Sequence, residues 1–72
     1  MRRQVLVYRK RASDLLEGDI TLNNCRSTLQ ITTKVETFVS HEMLMVAVKS
    51  EDFAGYISEH CYEASTEVLV YE

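Results

Sequence analysis

The feature that most constrains this 72-residue chain is a two-residue alternation between positions 28 and 39. One parity carries the aliphatic and some of the threonine side chains: Leu29, Ile31, Thr33, Val35, Thr37 and Val39. The other parity is polar except for Phe38. Because successive side chains of a β-strand point to opposite faces, this pattern predicts a half-buried strand whose aliphatic parity faces the core.

Four further segments read as strands, at residues 4–11, 19–22, 43–49 and 66–71. In the first of these, Val5–Tyr8 is a continuous apolar run, which is typical of a strand that is covered on both faces or central in its sheet. Ser40–Glu42 is predicted to be the hairpin connection between the long alternating strand and the strand that returns from it. If the two ends of the chain lie side by side, the basic first strand meets an acidic last strand, and opposite charges across the pair are modestly stabilising.

The pattern changes after Ser50, a good helix N-cap that is followed by two acids. Phe53, Ala54, Ile57 and Cys61 fall at helical spacing, which predicts a short amphipathic helix over residues 51–61 with these four side chains on its buried face. The predicted fold is mainly β, of the α+β class. It is a five-stranded antiparallel barrel or curled sheet with one short C-terminal helix, and residues 1–72 form a single domain.

The segment 13–20 carries a leucine, two residues, and then Gly18-Asp19 before a predicted strand. Over residues 13–39 this resembles the opening of small Src-homology-3-like barrels, and the resemblance implies the same small barrel fold. A helix at 51–61 departs from such barrels, in which a single 3₁₀ turn is usual. Residues 13–18 are either a turn or a short helix. If they are helical, the order becomes the ferredoxin-like βαββαβ arrangement.

Charge is distributed unevenly along the chain, whose net charge is −3. Residues 1–11 carry five bases and no acid, whereas the remainder carries three bases against all eleven acids. The acidic total argues against a general nucleic-acid binder, but the basic first strand provides an alternative function in nucleic-acid binding. The residues predicted for that role are Arg2, Arg3, Tyr8, Arg9 and Arg11.

The sequence carries no pattern that points to catalysis, a cofactor or a metal. Cys25, His41, His60 and Cys61 have the donor atoms for zinc but not the close paired spacing of zinc sites, so we expect free thiols instead. Two glycines 37 positions apart cannot form a phosphate-binding loop. No apolar run approaches the roughly 20 residues that span a bilayer, and no leader cleavage site follows the basic start. We therefore expect a cytoplasmic protein that is not an enzyme.

The apolar strand surface exceeds what one helix can cover, which favours a closed barrel or a dimer. The predicted function is a small interaction module, an accessory or regulatory factor of the phage or mobile-element type. It would bind a protein partner or a second copy of itself. The side chains predicted for that interface are Met43, Met45, Val68 and Val70.

Overall fold

The computed structural model describes residues 6–23, 25 and 27–72, and these form one antiparallel sheet of six strands. The strands are β1 (Val7–Arg11), β2 (Ile20–Asn23), β3 (Thr28–Ser40), β4 (Met43–Asp52), β5 (Ile57–Glu63) and β6 (Glu67–Tyr71). Their order across the sheet is β1-β6-β2-β3-β4-β5. A single 3₁₀ turn, Ala12–Asp14, follows β1. The predicted mainly β antiparallel class is confirmed.

The sheet curls around a small core. Val46 on β4 and Val70 on β6 belong to the same buried cluster, although two strands separate them in the sheet. Such a contact requires the sheet to bend until its ends approach each other. The 3₁₀ turn contributes Ala12 to the cluster, and its backbone donates hydrogen bonds to the connection between β5 and β6, 2.8 Å from Ala12 N to Thr66 O. The turn thereby covers one side of the core.

The strand predicted over residues 28–39 is confirmed as β3, but the prediction of which parity is buried is wrong for its first half. Gln30 and Thr32 are 4% and 1% exposed, whereas Leu29 and Ile31 are 40% and 42% exposed. The pairing with β4 shifts register between Thr32 and Lys34. Such a β-bulge inserts one residue and exchanges the two faces. Only beyond the bulge does the aliphatic parity turn inward, where Val35 packs against the core.

The helix predicted over residues 51–61 is wrong. β4 continues to Asp52, a turn follows, and β5 begins at Ile57. The turn forms because the Asp52 carboxylate accepts hydrogen bonds from Ala54 N and Tyr56 N, both 2.9 Å long, and Gly55 adopts a φ of 82°. Ser50, predicted as a helix cap, is fully buried in β4 opposite Thr32.

The sheet therefore has six strands instead of five, and the extra strand is β5. Within the described residues there is no α-helix, so the ferredoxin-like alternative is also wrong. Residues 13–18 follow the turn interpretation, because the 3₁₀ turn ends at Asp14 and Gly18 adopts a φ of 95°.

The first strand lies at an edge of the sheet and is more exposed than its apolar sequence predicts. β1 lies at one edge, with β6 as its neighbour, and Val7 is 49% exposed, so the expectation that the first strand is covered on both faces or central in its sheet is wrong. The first and last strands lie side by side, with Arg9 opposite Leu69 and Arg11 opposite Glu67. β5 forms the other edge.

The hairpin between β3 and β4 lies where the sequence predicts it. Its two central residues, His41 and Glu42, have positive φ angles of 51° and 64°. Two consecutive positive φ values match the type I′ turn that suits the twist of a two-residue hairpin. In the part of the chain that the structure describes, no helix is long and apolar enough to cross a membrane.

Candidate protein-interaction site

An apolar row crosses the outer side of the sheet, away from the core. The strand registers place its members side by side, and we call them the outer row: Val7, Tyr71, Ile20, Ile31, Glu51 and Ile57. Glu51 is the one charged member. With about 4.8 Å between neighbouring strands, the row is about 24 Å long measured along the curve of the sheet.

Further apolar side chains extend this row into a surface. We call the following set the outer apolar surface: Val7, Ile20, Leu22, Leu29, Ile31, Phe53, Ile57, Leu69 and Tyr71. Phe53 is the most exposed of them at 88%, and Ile57 is 61% exposed. Single exposed apolar residues are ordinary on protein surfaces, but a contiguous patch marks an interaction site.

The centre of this surface is a groove. Its volume is about 170 Å³, and Ile20, Leu29, Ile31 and Phe53 form its apolar lining, with Glu51 beside them. Phe53 reaches the groove because the hydrogen bonds of the Asp52 carboxylate hold the turn between β4 and β5 in place. The bulge in β3 turns Leu29 and Ile31 toward the same side. The groove is therefore formed by two local features, the turn held by Asp52 and the bulge in β3.

The surface has a basic end at β1 and an end of mixed charge at β4 and β5. At β1, Arg9 and Arg11 share the outward parity, and the Arg9 guanidinium lies 3.8 Å from the Glu67 carboxylate in an exposed ion pair. At the other end, Glu51 on β4 and Glu59 on β5 face outward, and Lys49 lies 4.0 Å from Glu59.

Lys10 has the opposite parity and points toward the inner side of β1. Its ammonium donates a 3.0 Å hydrogen bond to the Asp19 carboxylate, and both side chains are mostly buried. This hydrogen bond is the main reason that the pKa of Lys10 is raised. Lys10 is therefore part of the structure of the β1–β2 region and does not contribute to the outward basic end.

The residues predicted for a protein interface are not brought together. Met43 is 42% exposed and Met45 is half-buried on β4, whereas Val68 packs against the core on β6. Val70 is 1% exposed and belongs to the core cluster, so it offers no docking surface in this chain.

The residues predicted for nucleic-acid contact are divided as well. Arg2 and Arg3 lie outside the described residues. Tyr8 has the inward parity of β1, with the Lys10 ammonium 5.9 Å from its ring centre, while Arg9 and Arg11 project to the outer side. A stacking ring and phosphate-binding guanidinium groups on one face are therefore not present among the described part of this strand.

The four sulfur and imidazole residues occupy separate places. Cys25 follows β2, His41 lies in the hairpin, and His60 and Cys61 lie on β5. Among the described residues, no group of three histidine, cysteine or acidic side chains is placed to hold a metal ion. Both thiols are free and exposed, which differs from the buried position expected for Cys61.

Sequence reasoning missed the outward position of several members of the outer apolar surface. The predicted helix has Phe53 and Ile57 on its buried face, and the predicted alternation has Ile31 on the buried side of β3. Burial alternates along β5, where Ile57, Glu59 and Cys61 are exposed and the residues between them are half-buried. The residue types of 57–63 do not alternate between apolar and polar, so period two gave no signal for this strand.

Comparison with known proteins identifies the fold but not a family. No family model and no curated protein matches this chain. A translation initiation factor eIF-5A family protein from Naegleria fowleri has a similar structure, with a TM-score of 0.76 and 20% sequence identity over 92% of this chain. The matched region is 47% of that protein, so this chain spans about half of its length. At this identity the likeness supports a small β-barrel fold, which agrees with the curled six-stranded sheet.

Proposed function

We propose that this chain is a small non-catalytic binding module, of the Src-homology-3-like barrel type, that docks a protein through the outer apolar surface. The observation that carries the proposal is the exposed groove formed by Ile20, Leu29, Ile31 and Phe53. Aromatic and aliphatic side chains that fill a pocket at the centre of an interface usually supply most of the binding energy. We further propose an accessory or regulatory role in the cytoplasm, of the kind found in phages and mobile elements, without a cofactor.

Affinity capture with matched variants tests this function. The protein is immobilised as the natural sequence, as Phe53→Ser, and as Val39→Ser, and each is incubated with lysate of its source. Val39 is the control because it is 71% exposed yet lies on the β3–β4 hairpin, away from the groove. Removing an aromatic anchor typically costs about 2 kcal/mol of binding, which is about 30-fold in affinity.

We expect the captured protein to be lost with Phe53→Ser and kept with Val39→Ser. If all three forms retain the captured protein equally, the groove is not its binding site. Phe53 is so exposed that its truncation should leave the core intact. Circular dichroism of each variant checks that it is folded.

Nucleic-acid binding is the second candidate, and one observation favours it. Arg9 and Arg11 project from the same side of an edge strand, and the Arg9 side chain is 72% exposed. If this edge binds DNA or RNA, the affinity should fall steeply with salt, and the double variant Arg9→Gln with Arg11→Gln should reduce the salt dependence by about two counterions. Absence of binding at low salt, or binding that is unchanged in the double variant, would end this candidate.

A further inference from the structure

We propose that a second copy of this chain binds to the free edge of β3, so that the two β3–β4 hairpins lie side by side in a two-fold antiparallel pair with Thr37 on the axis. The inference goes beyond the proposed function, because none of residues 34–40 lines the groove. Three features of the described residues lead to it: an edge without a neighbouring strand, side chains that do not block that edge, and a sequence that is symmetric about Thr37.

The first feature is the edge of β3 beyond Thr32. β2 pairs with β3 only as far as Ile20 opposite Ile31, and the contact ends with a 2.8 Å hydrogen bond from Thr32 N to Asp19 O. β2 and β4 are the neighbours of β3 in the sheet, so among the described residues no strand lies on the β2 side of residues 34–40. About half of this thirteen-residue strand is therefore an edge strand.

The backbone groups of this edge can accept a further strand. The two-residue hairpin is closed by the pair Ser40 and Met43, which exchange backbone hydrogen bonds in a hairpin of this kind. Because the direction of these bonds alternates along an antiparallel strand, Phe38 and Glu36 also bond to β4. The N–H and C=O groups that point to the free edge are then those of Val35, Thr37 and Val39.

The second feature is that the side chains do not block this edge. Proteins usually protect an edge strand with proline or with a charge that points inward. The chain has no proline, and the inward side chains of this stretch are uncharged, with Val39 71% exposed. The two charged residues, Lys34 and Glu36, have the outward parity and pair with each other at 2.8 Å.

The third feature is that the edge reads the same in both directions. Val35, Thr37 and Val39 are symmetric about Thr37, and a two-fold antiparallel pair requires this symmetry. With the axis at Thr37, each Val35 lies opposite the partner's Val39, and the two threonines face each other. Such cross-strand pairs of β-branched residues stabilise a sheet. Leu44, which is beside Val39 and 50% exposed, then begins an apolar row that ends at the partner's Val48.

The same register suits the outward side of the hairpins. Phe38 is 41% exposed and lies diagonally across the axis from the partner's Phe38, within reach of an aromatic contact. Lys34 is opposite the partner's Ser40, beside the turn that carries the partner's Glu42. Opposite charges therefore meet at both ends of the paired edge, which favours this register.

Two other symmetric registers are disfavoured by the fold and by charge. An axis at Val35 would place the partner's Val39 beside Ile31, a position that β2 already occupies. An axis at Glu36 would place two carboxylates directly opposite each other. The axis at Thr37 avoids both conflicts and leaves the two sheets at opposite ends of the paired hairpins.

The paired edge is narrow, so the dimer should be weak. A stable interface buries about 800 Å² on each partner, more than one strand edge provides. We expect a dissociation constant between about 10 µM and about 1 mM. At the few-micromolar concentrations of urea denaturation the protein is then monomeric, so variants at Val39 report the stability of the monomer.

Charge exchange at the axis tests the proposal. The mass in solution is measured by sedimentation up to about 1 mM for the natural protein, for Thr37→Lys, for Thr37→Glu, and for an equimolar mixture of the two variants. Each variant alone places two like charges opposite each other and should weaken the dimer at least about fivefold. The mixture should recover, because an ammonium group then faces a carboxylate. Thr37 is exposed, so both variants should fold, which circular dichroism checks.

Ser65→Lys is the matched control, because it makes the same change of charge at an exposed residue in the connection between β5 and β6. It should leave the dimer unchanged. Amide hydrogen exchange provides a second measurement: the amides of Val35, Thr37 and Val39 should exchange at least about threefold more slowly at high than at low protein concentration, whereas those of Glu36 and Phe38 should change much less.

Each result bears on one part of the proposal. A natural protein that is monomeric up to about 1 mM would overturn the second copy as occupant. A dimer that Thr37→Lys leaves unchanged, or equal protection of the two sets of amides, would overturn the edge of β3 as the interface. Failure of the mixture to recover would overturn the axis at Thr37. The groove and its captured protein are tested separately by Phe53→Ser.

Discussion

The two sides of the curled sheet depart from the usual division into an apolar inner side and a polar outer side. The inner side has a small apolar cluster around Val46 and Val70, but it also buries the polar side chains of Gln30, Thr32 and Ser50. The outer side exposes larger apolar side chains, including Ile31 and Phe53. Shape explains the difference, since a six-stranded curl encloses too little space for all of the large residues.

The same contrast appears within β3, on either side of the bulge. Before the bulge, Gln30 and Thr32 point inward, and the Gln30 amide bridges two strands: it donates to the Thr21 hydroxyl at 3.2 Å and accepts from the Ser58 hydroxyl at 2.9 Å. Beyond the bulge, Val35 joins the apolar cluster. One strand therefore contributes to a hydrogen-bonded half of the interior and to an apolar half.

The largest effect is expected from the apolar half of the interior. Val46 is fully buried at the centre of the cluster, and Val46→Ala should lower the free energy of unfolding by about 2 kcal/mol, because it removes buried methyl groups and leaves a cavity. A core of this size usually supplies only about 3–5 kcal/mol, so the variant should unfold at much lower urea concentration.

Val39→Ala is the matched control for that variant, since the same groups are removed from a side chain that is 71% exposed. Its free energy of unfolding, measured by urea denaturation, should stay within about 0.5 kcal/mol of that of the natural protein. If the two substitutions change the free energy of unfolding equally, Val46 does not pack in a core, and the inner side of the sheet is not the apolar side described here.

Substitutions in the polar half of the interior should change the free energy of unfolding by a smaller amount. The sign of that change distinguishes an unpaired hydroxyl group from a paired one. The Thr32 hydroxyl is buried and has no hydrogen-bond partner among the described residues, whereas the Thr21 hydroxyl accepts from Gln30. Replacing an unpaired buried hydroxyl with a methyl group removes a desolvation cost, so Thr32→Val should raise the free energy of unfolding by about 1 kcal/mol. Thr21→Val should lower it by about 1–2 kcal/mol, because it removes the acceptor of the buried Gln30 side-chain NH₂ group.

Urea denaturation of the two threonine variants separates these outcomes. Opposite signs would show that the polar interior consists of a paired part and an unpaired part. If both substitutions stabilise the protein, the Gln30 bridge contributes nothing to stability, and the contrast between the two halves of β3 is one of shape alone.

These contrasts show how far the sequence can predict the structure. The period-two alternation predicts β3, and residues 40–42 are predicted as the hairpin connection that follows it. The type I′ geometry of that turn and the pairing of β1 with β6 are seen only in the structure. The burial side of Ile31 could not be predicted, because one inserted residue at the bulge reverses it and leaves no compositional trace. The helix prediction failed because the apolar residues at 53, 54, 57 and 61 satisfy helical spacing, while the Asp52 side chain and Gly55 favour a turn instead.

The smallest changes in the free energy of unfolding are expected for two bases that are adjacent on β1 but project to opposite sides. Lys10 points inward, and its side chain and that of Asp19 are 22% and 14% exposed, whereas Arg9 and Glu67 are 72% and 61% exposed. Lys10→Met should lower the free energy of unfolding by at most about 1 kcal/mol, and Arg9→Met should leave it unchanged, because exposed ion pairs contribute little.

The contribution of Lys10 should also depend on pH. The hydrogen bond to Asp19 raises the pKa of Lys10 in the folded protein above its ordinary value of 10.5. The stabilisation is therefore complete below pH 10.5 and is lost as the pH rises through the higher folded-state pKa. Burial also raises the pKa of Tyr62, so its ionisation opposes folding at alkaline pH in every variant. The informative quantity is the difference in urea midpoint between the natural protein and Lys10→Met: it should narrow as the pH rises above 10.5. A constant difference would mean that Lys10 stabilises the protein through packing of its aliphatic chain, and that the inner and outer bases of β1 differ in burial alone.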